Sequence, residues 1–90
     1  MNILARIQRG VREGRYELTE HAIEEAEADQ FGPSDVRHAI QLGTLVKRYT
    51  RDPRGTRYKL LGPAEDRRLM YVVCRFNEFK HVRILAVFAK

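Results

Sequence analysis

The chain has 90 residues, 43% of them hydrophobic and 32% charged, with a net charge of +5. That length supports one domain over residues 1–90, with a modest core and no room for a cofactor fold plus a second lobe. The composition is that of a globular chain rather than a disordered one, and no apolar run is long enough to span a bilayer.

In chain order, Ile3, Leu4, Ile7 and Val11 fall at helical spacing, so Asn2 to about Glu13 reads as an amphipathic helix ending near Gly14. Its Arg6, Arg9 and Arg12 are wrong for a secretory signal. Tyr16 to Leu18 reads as a short extended link. Thr19 is a good helix N-cap, because its hydroxyl can accept a free N–H of the first turn. That cap places His21 in the first turn of a second helix, Glu20 to about Gln30. Ala22, Ile23 and Ala26 form its apolar side, and Gly32-Pro33 stops it. Ser34 is read as the cap of a third helix, with Val36, Ala39 and Ile40 inward and Gly43 closing it.

After Gly43 the pattern changes from helical to alternating. Four strands follow, at about 44–50, 56–62, 67–76 and 80–89. Asp52-Pro53-Arg54-Gly55 and Gly62-Pro63-Ala64-Glu65-Asp66 carry the turn residues between them. Helices first and strands second, with short connections, give an α+β fold: N-terminal helices packed on one face of a four-stranded antiparallel meander.

Met70, Val72, Cys74 and Phe76 alternate on one strand, and Val82, Ile84, Ala86 and Phe88 on the next. Facing residues of an antiparallel pair share a face. A three-residue loop from Asn77 to Phe79 satisfies that rule, with Cys74 opposite Val82, Val72 opposite Ile84, Val73 beside Arg83 and Arg75 beside His81. Tyr58 and Leu60 join the apolar face. Arg57, Lys59, Arg75, His81 and Arg83 then share the other side, interleaved with Leu61, Leu69, Tyr71, Val73, Leu85 and Val87. A basic, partly aromatic sheet face is a platform for RNA, with arginines on phosphates and Tyr71 stacked on a base. The rival reading buries these apolar residues against helices or a dimer partner, with the cations snorkelling at the rim.

Charge is unevenly distributed. Residues 1–43 carry five Arg against eight Asp/Glu, a balance of −3, and residues 44–90 carry twelve Lys/Arg against four Asp/Glu, a balance of +8. The sorting points to a polyanion-facing half and an acidic half. Cys74, the lone cysteine, cannot form an internal disulfide, which points to a reducing, cytoplasmic setting. Its place among core residues marks it as buried and inert. His38 reads as a surface residue without a partner. Neither a metal nor another cofactor is expected. His21 and Glu25 stand at i, i+4 but are too few for a metal site, and no phosphate-binding glycine motif is present.

Leu18-Thr19-Glu20-His21-Ala22, then Ser34-Asp35-Val36 with Ala39-Ile40-Gln41-Leu42-Gly43, resemble a bacterial family, the domain-of-unknown-function family numbered 4258. Arg57-Tyr58-Lys59-Leu60-Leu61-Gly62 and Val82-Arg83-Ile84-Leu85-Ala86-Val87-Phe88 match it in type. The resemblance implies a fold grouped with barnase–EndoU–colicin–RelE ribonucleases, which include BrnT-like toxins of type II toxin–antitoxin pairs. It also implies RNA cleavage without a metal, by His, Arg, Lys and Tyr side chains. On this reading His21, Arg57, Arg75 and Arg83 are the catalytic candidates, and Lys59, Tyr71 and His81 bind RNA. An antitoxin protein and a second copy of the chain are the implied protein partners. Two positions depart from the pattern: Glu25 stands where an arginine is usual, and Ala86 where a threonine is common. These departures carry the alternative, a non-catalytic protein-interaction module or an inactive family member.

Overall fold

A computed structural model describes residues 1–90. Three helices, α1 (Ile3–Arg12), α2 (Glu20–Ala28) and α3 (Pro33–Leu42), lie with five strands, β1 (Tyr16–Leu18), β2 (Thr44–Tyr49), β3 (Arg57–Pro63), β4 (Leu69–Phe76) and β5 (Val82–Ala89). The four strands after Gly43 form the expected antiparallel meander, but the sheet has a fifth member. Its order is β1-β5-β4-β3-β2, and β1 runs parallel to β5. The segment read as a link is therefore an edge strand, and the sheet is mixed. Three residues are too few for an alternation signal, so pairing rather than pattern makes this a strand.

The helix ends follow side-chain and backbone chemistry. Asn2 Oδ1 accepts the Ala5 N–H and starts α1. Its end is a Schellman turn: Gly14 has φ +78, and the Arg15 N–H reaches the Gly10 carbonyl at 2.8 Å. The α2 helix ends the same way without a glycine. Gln30 takes the left-handed conformation at φ 60, the Phe31 N–H donates to the Ala26 carbonyl, and Arg68 donates to the Asp29 and Gln30 carbonyls. Gly32-Pro33 thus does not stop α2; it starts α3, with Gly32 as cap, Pro33 in the first turn, and Asp35 Oδ2 accepting the Gly32 N–H at 2.9 Å. Ser34 lies inside the helix and is not its cap. His38 has a partner after all: its Nδ1 lies 2.8 Å from the Pro63 carbonyl and ties α3 to β3.

All three helices cover one face of the sheet. The core joins Ile7, Val11, Ala22, Ala26, Val36, Ala39 and Ile40 to Tyr58, Leu60, Met70, Val72, Cys74, Val82, Ile84 and Val87. Ile23 is not among them; it is 43% exposed. The α3 helix lies so close to the sheet that a Cβ on Gly62 would meet the Ala39 carbonyl oxygen, and glycine is required there for space rather than for φ. Burial raises the Cys74 thiol to about 12, keeping it a neutral core side chain.

The last hairpin differs from the expected register in two ways. Its loop has three residues, but they are 78–80, because Asn77 Oδ1 accepts the Phe79 and His81 N–H groups and Lys80 takes φ 63. Phe76 therefore faces Val82, Arg75 faces Arg83 and Cys74 faces Ile84. A β-bulge then inserts Leu85, and beyond it Val73 faces Ala86, Val72 faces Val87 and Tyr71 faces Phe88. The extra residue exchanges the faces of all that follows. Val87 turns into the core, while Ala86 and Phe88, expected inside, move to the opposite side.

Candidate nucleic-acid interface

No helix covers the second face of the sheet. The pairings set its residues in rows. Glu17 faces Arg83, and Arg83 faces Arg75. The β3–β4 register, continued by one residue, places Arg57 level with Arg75, and Arg57 faces Tyr49. Three arginines from three adjacent strands thus form one row. The next row holds Ala86, Val73, Lys59 and Lys47, and the third holds Phe88, Tyr71, Leu61 and Thr44. Of the residues assigned to this side from the sequence, Val87 lies instead in the core, and Leu85 is the bulge residue and has no strand partner.

Local chemistry leaves part of the arginine row unsatisfied. Arg83 Nη1 stands 3.5 Å from Glu17 Oε1, a loose ion pair at the surface. Arg57 Nε lies 3.2 Å from Asp52 Oδ2 but out of hydrogen-bond alignment. The Nε atoms of Arg57 and Arg83 are both buried without a hydrogen-bond partner. Buried donors are ordinarily paired, so these two are exceptions in the fold, and the half-exposed guanidinium ends beyond them are what an incoming acceptor would meet. The Asp52 carboxyl is held below its ordinary range, first by the Arg54 backbone N–H and then by the Arg54 and Arg57 charges.

Two open clefts flank this row. One, of ≈ 530 Å³, is lined by Glu17, Arg54, Arg75, Asn77, Phe79, His81 and Arg83 among others. The other, of ≈ 520 Å³, lies along the β2–β3 hairpin and is lined by Arg48, Tyr49, Arg51, Asp52, Arg54 and Arg57. The structure thus brings Arg75, His81 and Arg83 into one cleft and Arg57 into the next, with Arg54 shared. His81 faces Asn77 across the hairpin rather than Arg75. Sequence reasoning missed Glu17 and Arg54. Glu17 became visible only once β1 joined the sheet; Arg54 lay in a turn treated as a connector.

His21 is elsewhere. It is in the first turn of α2, as the Thr19 cap required, and Thr19 Oγ1 accepts the Ala22 N–H at 3.1 Å. Its Nε2 is 3.2 Å from Glu25 Oε1, its side chain is 70% exposed, and it lines neither cleft. Glu25, the position of the departure, has a structural use. Its Oε1 accepts the Val87 N–H at 3.1 Å, and Asp29 Oδ2 accepts the Ala89 N–H at 2.9 Å. The β1 strand pairs with only the first part of β5, and these carboxylates take over the remaining free edge. No three His, Cys, Asp or Glu side chains are grouped so as to hold a metal ion, and no helix is long and apolar enough to cross a membrane.

On the remaining face, Lys59 Nζ stands 4.2 Å from the Tyr71 ring centroid and 5.6 Å from that of Phe88. The two rings are 5.4 Å apart, tilted by 39°.

These features define a small α+β domain, with helices on one side of a mixed sheet and a cationic, aromatic-bearing face on the other. The family model described as Domain of unknown function (DUF4258) matches residues 18–89, and the chain belongs to that family. The matched region holds β1 only in part, all of α2 and α3, and the whole meander. No curated protein and no solved structure matches the chain.

Proposed function

We propose that this chain is a toxin-like RNA-binding protein and a metal-independent endoribonuclease, akin to the BrnT- and RelE-type toxins of type II pairs. One observation supports the reading above others: the row Arg83–Arg75–Arg57 across the open face, whose only carboxylate contacts are loose ion pairs, with two Nε donors that form no hydrogen bond within the chain. Guanidinium groups match phosphate oxygens in geometry and charge. A phosphodiester seated on Arg75 and Arg83 would lie in the cleft that Glu17 and His81 also line.

The chemistry follows from that seating. A base removes the proton of a ribose 2′-hydroxyl, and the oxygen attacks the adjacent phosphorus. The bond to the 5′-oxygen breaks, and an acid returns a proton to it. The products are a 2′,3′-cyclic phosphate and a free 5′-hydroxyl. In this reading Glu17 accepts the first proton and His81 supplies the second, while the arginines stabilise the added charge on the phosphorane. His21 is outside the cleft, so its catalytic role passes to His81.

The test is cleavage of labelled RNA by purified protein in a chelator. We expect products ending in 2′,3′-cyclic phosphate from the wild type and from His21→Ala, and none from His81→Ala or Arg83→Ala. Wild-type protein that neither binds nor cuts RNA would sink the reading. One feature favours the second reading, a non-catalytic interaction module. Leu18, Ile23, Phe31, Pro33 and Val36 line a small apolar depression bordered by Glu27 of α2. A basic, apolar segment of an antitoxin would fit such a surface, and co-purification with the product of an adjacent small gene would support it.

A further inference from the structure

We infer that the open face selects single-stranded RNA, with Phe88 and Tyr71 as a base-stacking platform a few nucleotides from the arginine row. The inference rests on the RNA-binding reading above and adds a substrate class and a contact residue, Phe88, to it. Phe88 reaches this face only through the bulge at Leu85, which sets it directly opposite Tyr71 on neighbouring strands. Both rings are half-buried, on a side of the sheet that no helix covers.

Their surroundings fit a nucleotide better than an apolar partner. Lys59 stands over the pair, and Lys47 faces Lys59 on β2. Among the paired residues of this face, only Glu17 is acidic. A base on the rings would have its phosphate within reach of the Lys59 ammonium. From Tyr71 to Arg75 is four residues along β4, or ~13 Å, so one strand can lay a base on the rings and a later phosphate on Arg75 and Arg83. A duplex cannot do this, because its bases are stacked on each other and A-form RNA shows side chains only its backbone and a shallow minor groove. Stacking on an aromatic ring tolerates every base, so the platform selects strandedness rather than sequence.

The experiment uses a short single-stranded RNA containing 2-aminopurine and a duplex of the same sequence, with Phe88→Leu, Tyr71→Leu and the double variant Arg75→Ala/Arg83→Ala. Leucine keeps the apolar bulk, and a melting curve for each variant checks that the fold persists. We expect at least tenfold preference for the single strand, quenching of 2-aminopurine on binding, and loss of quenching with about tenfold weaker binding in the leucine variants. The slope of affinity against salt should stay unchanged in those variants, because they remove no phosphate contact. Equal binding of the duplex, or unaltered quenching in Phe88→Leu, would overturn this inference. If the arginine double variant still weakened binding, the phosphate-site reading would stand. No RNA binding, or a dimer that Phe88→Leu dissociates, would overturn both.

Discussion

The acidic helix and the basic sheet face of this protein put their charges to opposite uses. On α2, Glu25 and Asp29 point at the backbone of β5 and accept its Val87 and Ala89 N–H groups. On the open face, Arg57 and Arg83 make only loose ion pairs, with Asp52 and Glu17, and their Nε donors form no hydrogen bond. A charge that closes a backbone edge belongs to the fold, and removing it costs stability. On the proposed function, a charge whose donors are unmet is held for a ligand, and removing it is expected to cost binding rather than stability.

The sharpest way to break that contrast is to remove two of the three arginines of the row, the facing pair on β4 and β5. For Arg75→Ala/Arg83→Ala we expect about a hundredfold loss of RNA affinity, since a hydrogen bond to a charged group contributes ~1.5–3 kcal/mol. The salt slope should fall by about two, one per phosphate contact. The melting temperature should hardly change, because partly exposed charges far from the core contribute little. Fluorescence anisotropy over a salt series and a thermal melt measure the two sides. A large drop in melting temperature would make the row structural and erase the contrast.

The opposite expectation applies to Glu25→Ala. It leaves the Val87 N–H without its acceptor, at a cost of ~1–3 kcal/mol. In a domain of this size each kcal/mol lowers the melting temperature by roughly 4–8 °C. RNA affinity should not fall, and Glu25→Gln, which keeps an acceptor oxygen, should lose less stability than Glu25→Ala. The variant Glu25→Arg tests the contrast further: it should destabilise like alanine although it adds a positive charge.

How far the sequence reveals these features depends on which signal carries each. The Ile3–Ile7–Val11 spacing, the Thr19 cap and the Arg57–Lys59 alternation come from periodicity and local chemistry, and the structure follows them. The α+β class and the arginine face were readable for that reason. Three features were not. The strand Tyr16–Leu18 is too short to show a period, so Glu17 had no assigned side until β5 paired with it. The bulge at Leu85 lies in a run where Ile84, Leu85, Ala86, Val87 and Phe88 are all apolar. Strict alternation and a bulge fit such a run equally well, so hydrophobicity could not decide between Val87 and Phe88. The stop of α2 at Gln30 depends on Arg68, which is far away in sequence, and no local signal predicts that capping.

Acid provides a smaller test. The Asp52 carboxyl is held low by the Arg54 N–H, and Glu13 and Asp66 are held low chiefly by hydrogen bonds from Arg9 and from the Arg68 backbone. A depressed folded value means that these groups stabilise the fold above the ordinary carboxylate range. The contribution is lost as pH falls through their lowered values. Stability should therefore decline below about pH 4, and carboxyl titration by NMR should place the Asp52 midpoint below 3.8. Protonating Asp52 also removes the carboxylate nearest Arg57. RNA affinity should therefore hold or rise over the interval in which stability falls.

The smallest expected effect is that of His21→Ala. The imidazole is mostly exposed, and its only ion-pair partner is Glu25, so its loss should change stability by at most ~0.5 kcal/mol. Glu25 keeps its bond to the Val87 N–H without it. Binding and cleavage should match the wild type, because the side chain lines neither cleft. This near-null result is informative because the opposite outcome has one meaning. If His21→Ala stops cleavage while binding survives, the reacting phosphate lies at the β5 edge beside α2 rather than between Arg75 and Arg83. Glu25 would then act as a partner to a catalytic imidazole as well as a backbone acceptor. The acidic helix and the basic face would become two parts of one site, with RNA running from the arginine row to the end of β1.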